Sequence, residues 1–515
     1  MIKEAYTKYR YLIFPLLGIL NSLPFIFNGL YWISWFSFSL LWIFSSYFDA
    51  SVLSGKSFYI CINLFYFAYY FGAYNFFAAL YPLTFAGIGY FVSFLILIFA
   101  WLFLSLVHSV IMSLGTYFSY KIFNRSGAKI VFLALLFVLS QYLISVGPCG
   151  FPWGRYATAQ YYNPYFIQTA SLLGPYFVDL IIILVNVFIA FSFLERKRMK
   201  YIVAFFCIFV ANLLFGIFSM SDLPDTKEIT NVSIVQGNVL TDEKWYGKSS
   251  FRTYMDDTYE LKNSDLIVWG ETAIPTELNK TYSILGEITN FSQNTDTELI
   301  VGAFYEDDAG KVYNGAYYVN RNGLSSDLYL KRKLVPFGEF LPFRNLLDNI
   351  KILDTINMLS YDLLPGNAPV ITKTQSGDVS CLICFDSVYH YLARESVKNG
   401  AELLTIITND SWYKDSPSVF LHNGQAVWRA VENGRWVVRS ANSGISSFIN
   451  PKGKIVSSIP PLTKGTITEK VSFLNETTLY TNVGDVIILI ILFSLVILFF
   501  YEKKKGFCKS KSTNL

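Results

Sequence analysis

Long apolar runs separate the few charged residues in the N-terminal part of this chain, and they constrain its fold more than any other feature. Between residues 11 and 194 the charged positions are Asp49, Lys56, Lys121, Arg125, Lys129, Arg155 and Asp179. A helix needs roughly 20 apolar residues to cross the hydrocarbon core of a bilayer. We therefore expect eight membrane spans, near 11–28, 31–48, 57–79, 86–112, 130–147, 175–194, 201–219 and 483–501.

Composition supports a membrane protein and excludes several other classes. Of the 515 residues, 53% are hydrophobic and only 15% are charged, which is too apolar for a soluble protein of this size. The 41 basic and 37 acidic residues leave a net charge of +4, so the chain does not have the basic surplus of a nucleic-acid binder. The six cysteines do not form a cluster with zinc-ligand spacing. We expect no metal and no cofactor.

Charge density divides the chain into domains. It becomes ordinary for a globular protein after about residue 221 and stays so to about 482. We therefore expect an N-terminal membrane domain of about seven helices over 1–220, a catalytic domain over 221–482, a last transmembrane helix over 483–501 and a basic cytoplasmic tail over 502–515. Lys and Arg of short loops stay in the cytoplasm. On the eight-span arrangement they fall almost entirely on the side of the two termini, which places 221–482 outside.

Short apolar strands and helical stretches alternate within the polar domain. The segments 232–236, 266–269, 299–303, 379–384 and 403–407 are rich in β-branched residues, as buried strands are. Helix-forming runs follow at 391–399 and 423–433. Together they predict a layered α/β sandwich, attached to an α-helical polytopic membrane domain.

Reactive residues lie at three expected strand ends, two of them among the strands above and the third after Tyr329-Leu330. Glu271 follows Trp269-Gly270, Lys331 follows Tyr329-Leu330, and Cys384 ends the strand that begins near 379. A thiol becomes a strong nucleophile when a base removes its proton or a cation stabilises the thiolate, and a cation also stabilises the oxyanion of a tetrahedral intermediate. A carboxylate, an amine and a thiol at strand ends therefore favour thiol-based acyl transfer.

The order of these motifs resembles a known family. The blocks that carry the resemblance are Gln236-Gly237-Asn238 with Trp245, Trp269-Gly270-Glu271, Leu334 to Glu339 with Pro342, Ile383-Cys384, Thr408 to Trp412, and Arg439 to Gly444. They are similar to the blocks of the nitrilase superfamily. With the apolar spans around them, they resemble its membrane-embedded branch, the apolipoprotein N-acyltransferase family.

The resemblance implies a role for each site residue. Glu271 is then the general base, Lys331 the oxyanion stabiliser and Cys384 the nucleophile. Glu339 is a second, supporting carboxylate, and Trp245 lies near the substrate cavity. The sequence departs from the family at Phe385-Asp386, where Tyr-Glu is usual. The negative charge is kept, but the shorter acid and the missing hydroxyl change the hydrogen bonding around the nucleophile.

Simpler roles remain open for single residues. Cys384 is also compatible with a small core residue or with a disulfide to Cys381, although positions i and i+3 of a strand face opposite sides. Lys331 competes with Lys333 and Arg332 for the role of the cation. Glu271 is also compatible with a helix cap. We expect His422 to order the loop at Trp412 rather than to act in catalysis.

Three functional classes fit the chain to different degrees. The resemblance implies an acyltransferase that moves an acyl group from a phospholipid, through a Cys thioester, to the N-terminal diacylglyceryl-cysteine of a lipoprotein. A membrane-tethered nitrilase-type amidase is the alternative. A polytopic receptor or transporter would need more ionisable residues in its spans. We expect a monomer in the bacterial inner membrane, and we leave open whether 340–365 is a lid or part of the core.

Overall fold

The computed structural model describes residues 2–47, 55–84, 88–122, 128–147, 150–195, 198–221, 229–240, 244, 249–342, 344 and 362–512. Trp245 and most of the segment 340–365 lie outside these residues. The chain divides into two compact units. The first comprises Met1–Asn75, Phe99–Ser221 and Val483–Leu515, and the second comprises Phe76–Ile98 and Asp222–Asn482. The segment 76–98, which we expected in the membrane domain, thus packs with the polar domain.

The first unit is helical. Its described helices are Ile2–Ile26, Ser39–Tyr47, Gly55–Ala73, the C-terminal part of Tyr90–Ile122, Ala128–Leu143, Ala170–Leu173, Pro175–Leu194, Met199–Ser221 and Val486–Ser512. Among the described residues, the helices long and apolar enough to cross a membrane are Lys8–Ile26, Tyr90–Lys121, Pro175–Leu194 and Met199–Ser221, with shorter apolar helices at Val131–Leu143 and Val486–Tyr501. The number of crossings therefore stays a prediction.

The second expected span is not one continuous helix. A 3₁₀ helix covers Asn28–Trp35, and an α-helix of nine residues follows at Ser39–Tyr47. The side chain of Asn186, from a distant helix, stabilises the break between them. Its Oδ1 accepts from Ser39 N at 2.9 Å, and its Nδ2 donates to the carbonyl of Ser34 at 2.8 Å. Such partners satisfy backbone groups that a helix would otherwise pair internally.

The second unit contains two β-sheets. The first has the order β13-β1-β2-β4-β5-β6, with β3 paired to β4, and the second has the order β12-β11-β10-β9-β8-β7. The strands are β1 Ile229–Gln236, β2 Leu266–Trp269, β3 Ile274–Glu277, β4 Glu298–Glu306, β5 Val312–Asn320, β6 Gly323–Leu330, β7 Ile371–Lys373, β8 Asp378–Ile383, β9 Leu403–Thr408, β10 Val437–Ala441, β11 Ser446–Ile449, β12 Ile455–Ile459 and β13 Gly465–Ser472.

Helices cover the outer faces of these sheets. Ser249–Thr258 and Tyr282–Thr295 pack on the first sheet, burying Phe251, Met255 and Ile288 against β1, β2 and β4. His390–Lys398 and Pro417–Asn433 pack on the second sheet, and the short helices Phe76–Ala79 and Leu479–Val483 complete the unit. The predicted α/β sandwich is confirmed, and each of the five predicted strands is present.

Parallel pairing brings the functional strand ends together. In the first sheet β1, β2 and β4 are parallel, and in the second β8, β9 and β10 are parallel. The two sheets contact each other, because Ser440 Oγ on β10 donates to the carbonyl of Val268 on β2 at 3.0 Å. Side chains that follow the carboxyl ends of parallel strands meet at one edge of a sheet. Residues after β2, β8 and β9 therefore converge on one site.

Candidate active site

Cys384 occupies a strained position directly after β8. Its φ of +50° lies in the left-handed region, which few residues other than glycine adopt without cost. The 3₁₀ helix Cys384–Val388 begins there, and Ser387 Oγ donates to the Cys384 carbonyl at 2.7 Å. The strand and the short helix thus turn sharply at the thiol and hold it half-buried. Cys381 and Cys384 are both free thiols, so the disulfide alternative does not hold.

Lys331 lies between two carboxylates. Its Nζ is 3.0 Å from Glu271 Oε1 and 2.9 Å from Glu339 Oε1, and its side chain is 1% exposed. Burial acts to lower the pKa of Lys331, but Glu271 and Glu339 outweigh it and raise that pKa well above the ordinary value. Lys331 is therefore a fixed cation. Lys333 instead lies over the Tyr389 ring, so of the two lysines it is Lys331 that lies between the carboxylates.

Asn314 and Asn409 fix the Glu271 carboxylate. Asn314 Nδ2 on β5 donates to Glu271 Oε1 at 2.8 Å and to Glu339 Oε1 at 3.1 Å. The backbone N–H of Asn409 donates to Glu271 Oε2 at 2.8 Å. The segment after Glu271 forms the strand Ile274–Glu277 rather than a helix, so Glu271 is not a helix cap. Asn314 carries no motif signal in the sequence, because its partners lie on other strands.

The electrostatic surroundings of the thiol are mixed. Burial raises the pKa of Cys384, Glu271 raises it further, and Lys331 acts in the opposite direction. Lys244 adds a second amine, whose Nζ donates to the Glu271 carbonyl at 2.9 Å. Burial lowers the pKa of Lys244 to about 7. Glu271 and Lys331 therefore act on the pKa of Cys384 in opposite directions, and Lys331 is the one that favours the thiolate.

Although Phe385-Asp386 departs from the family pattern, both side chains make contacts that hold the segment around the nucleophile. The Asp386 carboxylate accepts from Tyr329 O–H at 2.8 Å and from the backbone N–H groups of Lys333 at 2.7 Å and Ile383 at 3.2 Å. It thereby connects the segment after β6, which carries Lys331, to the nucleophile turn. Phe385 packs edge-on against Tyr389, with ring centroids 5.2 Å apart.

A second ionic cluster, which the sequence reasoning missed as a unit, lies beside Cys384. Asp410 follows β9, and its Oδ1 is 2.7 Å from His422 Nδ1 while its Oδ2 accepts from Arg439 Nη2 at 2.7 Å. We expected His422 to order the loop at Trp412. Its ring does contact Tyr413 edge-on, at a centroid distance of 6.0 Å, but it also reaches the nucleophile turn.

Among the described residues, Cys384, Asp410 and His422 form a group of side chains of the types that can bind a metal ion. One ligand atom of each lies within 4.8 Å of the others. Both oxygens of Asp410 already have side-chain partners, Oδ1 with His422 and Oδ2 with Arg439. The arrangement is therefore that of an ion-pair network, and we derive no metal chemistry from it.

Comparison with known proteins places this fold and site in a class. The model of the Carbon-nitrogen hydrolase family matches residues 231–477, which contain nearly all of both sheets and both ionic clusters. The class of the domain is therefore that of carbon-nitrogen hydrolases. The model of the Apolipoprotein N-acyltransferase N-terminal domain matches residues 17–188. With both domains matched, the chain is similar to apolipoprotein N-acyltransferases over most of its length, and it is an acyltransferase.

Relatives and a solved structure extend the comparison. The Apolipoprotein N-acyltransferase of Haemophilus ducreyi is 27% identical over 72% of this chain and 75% of its own length. The Apolipoprotein N-acyltransferase of Geobacter metallireducens is 29% identical over 70% of this chain and 72% of its own length. The crystal structure of Saccharomyces cerevisiae Nit3, a member of the nitrilase superfamily, is 18% identical, covers 49% of this chain and 93% of its own, and has a TM-score of 0.38.

Proposed function

We propose that this chain transfers an acyl group from a phospholipid to the α-amine of the N-terminal diacylglyceryl-cysteine of a lipoprotein, through a thioester on Cys384. One observation carries the proposal. The fixed cation Lys331 lies 3.0 Å from Glu271, and both residues act on the Cys384 thiol in a domain that continues into apolar helices at both ends. Lipid substrates reach such a site from the membrane.

In the first half-reaction the donor ester is cleaved. Glu271 takes the proton of the Cys384 thiol, and the sulfur attacks the ester carbonyl carbon. Lys331 stabilises the oxyanion that forms, as a preorganised cation does. When the intermediate collapses, the C–O bond of the ester breaks, the lysophospholipid alkoxide takes the proton from Glu271, and the acyl group remains on the sulfur.

In the second half-reaction the acceptor amine replaces the lipid. Its nitrogen attacks the thioester carbon, Glu271 takes the amine proton, and Lys331 again stabilises the oxyanion. The C–S bond then breaks, and the thiolate regains the proton from Glu271. The products are an amide on the lipoprotein and the free enzyme. Asp386 and Phe385 position the nucleophile turn, and Glu339 holds Lys331.

Mass spectrometry tests the covalent step. The purified protein is incubated with phospholipid vesicles, its intact mass is measured, and the modified peptide is mapped. We expect an acyl adduct on Cys384, none in Cys384→Ala, and an undiminished adduct in the matched control Cys381→Ala. The absence of an adduct on the wild-type protein, or its presence in Cys384→Ala, would reject the thioester.

The match to the Carbon-nitrogen hydrolase family favours a second candidate, a hydrolase. The identity of the acyl acceptor distinguishes acyl transfer from hydrolysis. Adding a diacylglyceryl peptide to the isolated acyl-enzyme should yield the N-acyl peptide. Release of free fatty acid at the same rate with and without the peptide would identify a hydrolase with water as its acceptor.

We also propose that the chain is a monomer in the bacterial inner membrane, with the catalytic domain outside and both termini in the cytoplasm. The distribution of Lys and Arg over the short loops supports this topology. Tyr282 is 78% exposed on the catalytic domain, so Tyr282→Cys should react with an impermeant maleimide on intact cells, above the labelling of the parent chain. The matched control, Lys503→Cys, should react only after lysis. The reverse pattern would invert the topology.

A further inference from the structure

The helix Pro417–Asn433 carries a buried ion pair next to the nucleophile turn, which comprises the 3₁₀ helix Cys384–Val388. Arg429 Nε donates to Glu432 Oε2 at 2.7 Å, and Arg429 Nη2 donates to Glu432 Oε1 at 2.7 Å. The two side chains are 1% and 0% exposed. Because these parallel bonds use both carboxylate oxygens, they fix the plane of the guanidinium. The third nitrogen, Nη1, therefore has a fixed direction.

That third nitrogen contacts the far end of the nucleophile turn. Arg429 Nη1 donates to the carbonyl of Ser387 at 2.7 Å and to the carbonyl of Val388 at 3.3 Å. Both residues are buried, and the last carbonyls of a helix have no partner within the helix. A buried carbonyl without a donor is destabilising. Arg429 thus supplies a donor that this end of the turn needs.

Stability alone does not explain a buried ion pair at this position. Removing a guanidinium and a carboxylate from water is unfavourable, and apolar residues of similar volume are often as stable or more so. Arg429 and Glu432 also match in charge, so the pair adds no net charge beside the thiol. What distinguishes Arg429 is its remaining donor, which is directed at the segment that carries the nucleophile.

The backbone of Cys384 needs such support because it is strained. Its φ of +50° is a conformation that persists only where the surroundings hold it. On one side of the turn, Asp386 accepts from the backbone N–H groups of Lys333 and Ile383. On the other side, Arg429 holds the carbonyls three and four residues after the thiol. The turn is thus fixed from two directions.

We propose that Arg429 is a positioning residue for acyl transfer. Held by Glu432, it fixes the end of the nucleophile turn and thereby keeps the Cys384 sulfur in position to attack the ester carbonyl. The proposal rests on Cys384 being the nucleophile of the proposed function. Arg429 is 1% exposed, so it acts through the turn and not on the substrate. A displacement of a reacting atom by about 1 Å can slow a reaction about 10²-fold.

The alternative is a purely structural arginine that joins two segments of the domain. Arg435 has that role, because it is also 1% exposed and donates to the carbonyls of Ala401, at 2.8 Å, and Glu476. Arg435 precedes β10, whereas Cys384 follows β8, and the two strands run parallel on either side of β9. The contacts of Arg435 therefore lie at the opposite edge of the sheet from the thiol.

The test compares two reactions of Cys384 in the full-length protein in mixed micelles. Acylation by phospholipid, measured as the single-turnover rate of adduct formation, needs the sulfur aligned with the oxyanion site. Alkylation by iodoacetamide forms no oxyanion and tolerates misalignment. The double variant Arg429→Met/Glu432→Met removes the donor and leaves no buried charge unpaired. We expect acylation to slow about tenfold or more, with an unchanged half-saturating phospholipid concentration, while alkylation changes little.

The matched control is Arg435→Met, which also removes a buried arginine that donates to backbone carbonyls. It should lower the unfolding temperature but leave the ratio of acylation to alkylation unchanged. Equal acylation rates in the folded double variant and the wild type would overturn the proposal. The same decrease in Arg435→Met would also overturn it, since the effect would then be a general one of buried arginines.

If the double variant does not fold, Arg429→Lys provides the answer. Its ammonium keeps a charge opposite Glu432, but one nitrogen cannot form both bonds to that carboxylate and also reach the two carbonyls. We expect the same selective decrease, and wild-type acylation in this variant would overturn the proposal. The proposed function fails separately, if the wild-type protein forms no acyl adduct from phospholipid. In that case p-nitrophenyl octanoate, an activated ester, serves as the donor in the same comparison.

Discussion

The helical unit and the α/β unit each bury a matched ion pair, but the α/β unit also buries clusters in which one charged group has two partners. In the helical unit Arg155 pairs with Asp179 at 3.3 Å, and Asp179 also accepts from the backbone N–H of Ala157 at 2.7 Å. One cation thus matches one anion. In the α/β unit Lys331 is shared by two carboxylates, and Asp410 is shared by Arg439 and His422. The matched pair connects two chain segments, whereas the unmatched clusters lie beside the thiol and leave charge to act on it.

The largest effect should come from the thiol between the unmatched clusters. We expect Cys384→Ala to abolish acyl transfer, because no other group forms the covalent bond. Cys381→Ala should keep most of the activity, since burial raises the pKa of Cys381 to about 12 and leaves it an inert thiol. Steady-state transfer to a diacylglyceryl peptide measures both variants. Equal loss in the two would refute the assignment of Cys384.

The matched pair should affect stability rather than chemistry. Arg155→Ala leaves Asp179 buried without its cation, and breaking a buried pair in this way costs about 3–5 kcal/mol. Unfolding in detergent micelles measures this loss, and the double variant Arg155→Ala/Asp179→Ala should recover part of it. If Arg155→Ala were as stable as the wild type but inactive, the pair would belong to the catalytic machinery and the comparison would fail.

Substitutions in the unmatched clusters should instead affect the rate of the reaction more than the stability of the protein. Lys331→Ala should reduce the rate of acylation about 10²-fold or more, as the loss of an oxyanion donor does. Lys333→Ala is the matched control, because Lys333 lies over Tyr389 and Tyr391 and not between carboxylates, and it should change the rate little. The single-turnover rate of adduct formation measures both. A similar decrease in the two variants would indicate a general effect of surface charge.

The same comparison separates what the sequence could predict from what it could not. The strands and the motif residues Glu271, Lys331, Glu339 and Cys384 could be predicted, because β-branched runs and strand ends are local signals. Their roles in catalysis stay predictions until the variants are measured. The break at 31–48 could not be predicted, since Asn186 supplies its partners from a helix more than a hundred residues away.

Charge sharing could not be predicted either. Asn314 contacts Glu271 and Glu339 only because β5 neighbours β4 and β6. His422 reaches Cys384 and Asp410 only because its helix packs over β10 and the nucleophile turn. A sequence motif shows which residue types are present, whereas the number of anions around one cation depends on sheet order and helix packing.

Asp386 provides the smallest expected effect and refines the comparison through pH. Burial raises its pKa to about 6, while its hydrogen-bond donors, among them Tyr329 and Lys333 N–H, need the ionised form. Because the folded pKa lies above the ordinary value of about 3.9, the stability that protonated Asp386 contributes is full below pH 4 and is lost as the pH rises through 6. Activity should follow the opposite trend and fall as the pH drops below about 6.

Asp386→Asn tests this dependence directly. An asparagine stays neutral at every pH and offers one carbonyl oxygen to donors that had two, so the nucleophile turn is held less firmly. We expect a lower acylation rate at pH 7, by about tenfold if about 1.4 kcal/mol of hydrogen bonding is lost, and no further decrease near pH 6. The matched control is Glu395→Gln, whose carboxylate pairs with Arg332 at 2.7 Å and is partly exposed, and it should keep the wild-type profile. If the decrease near pH 6 persists in Asp386→Asn, another group of the unmatched clusters causes it, and the turn depends on Asp386 for its shape but not for its charge.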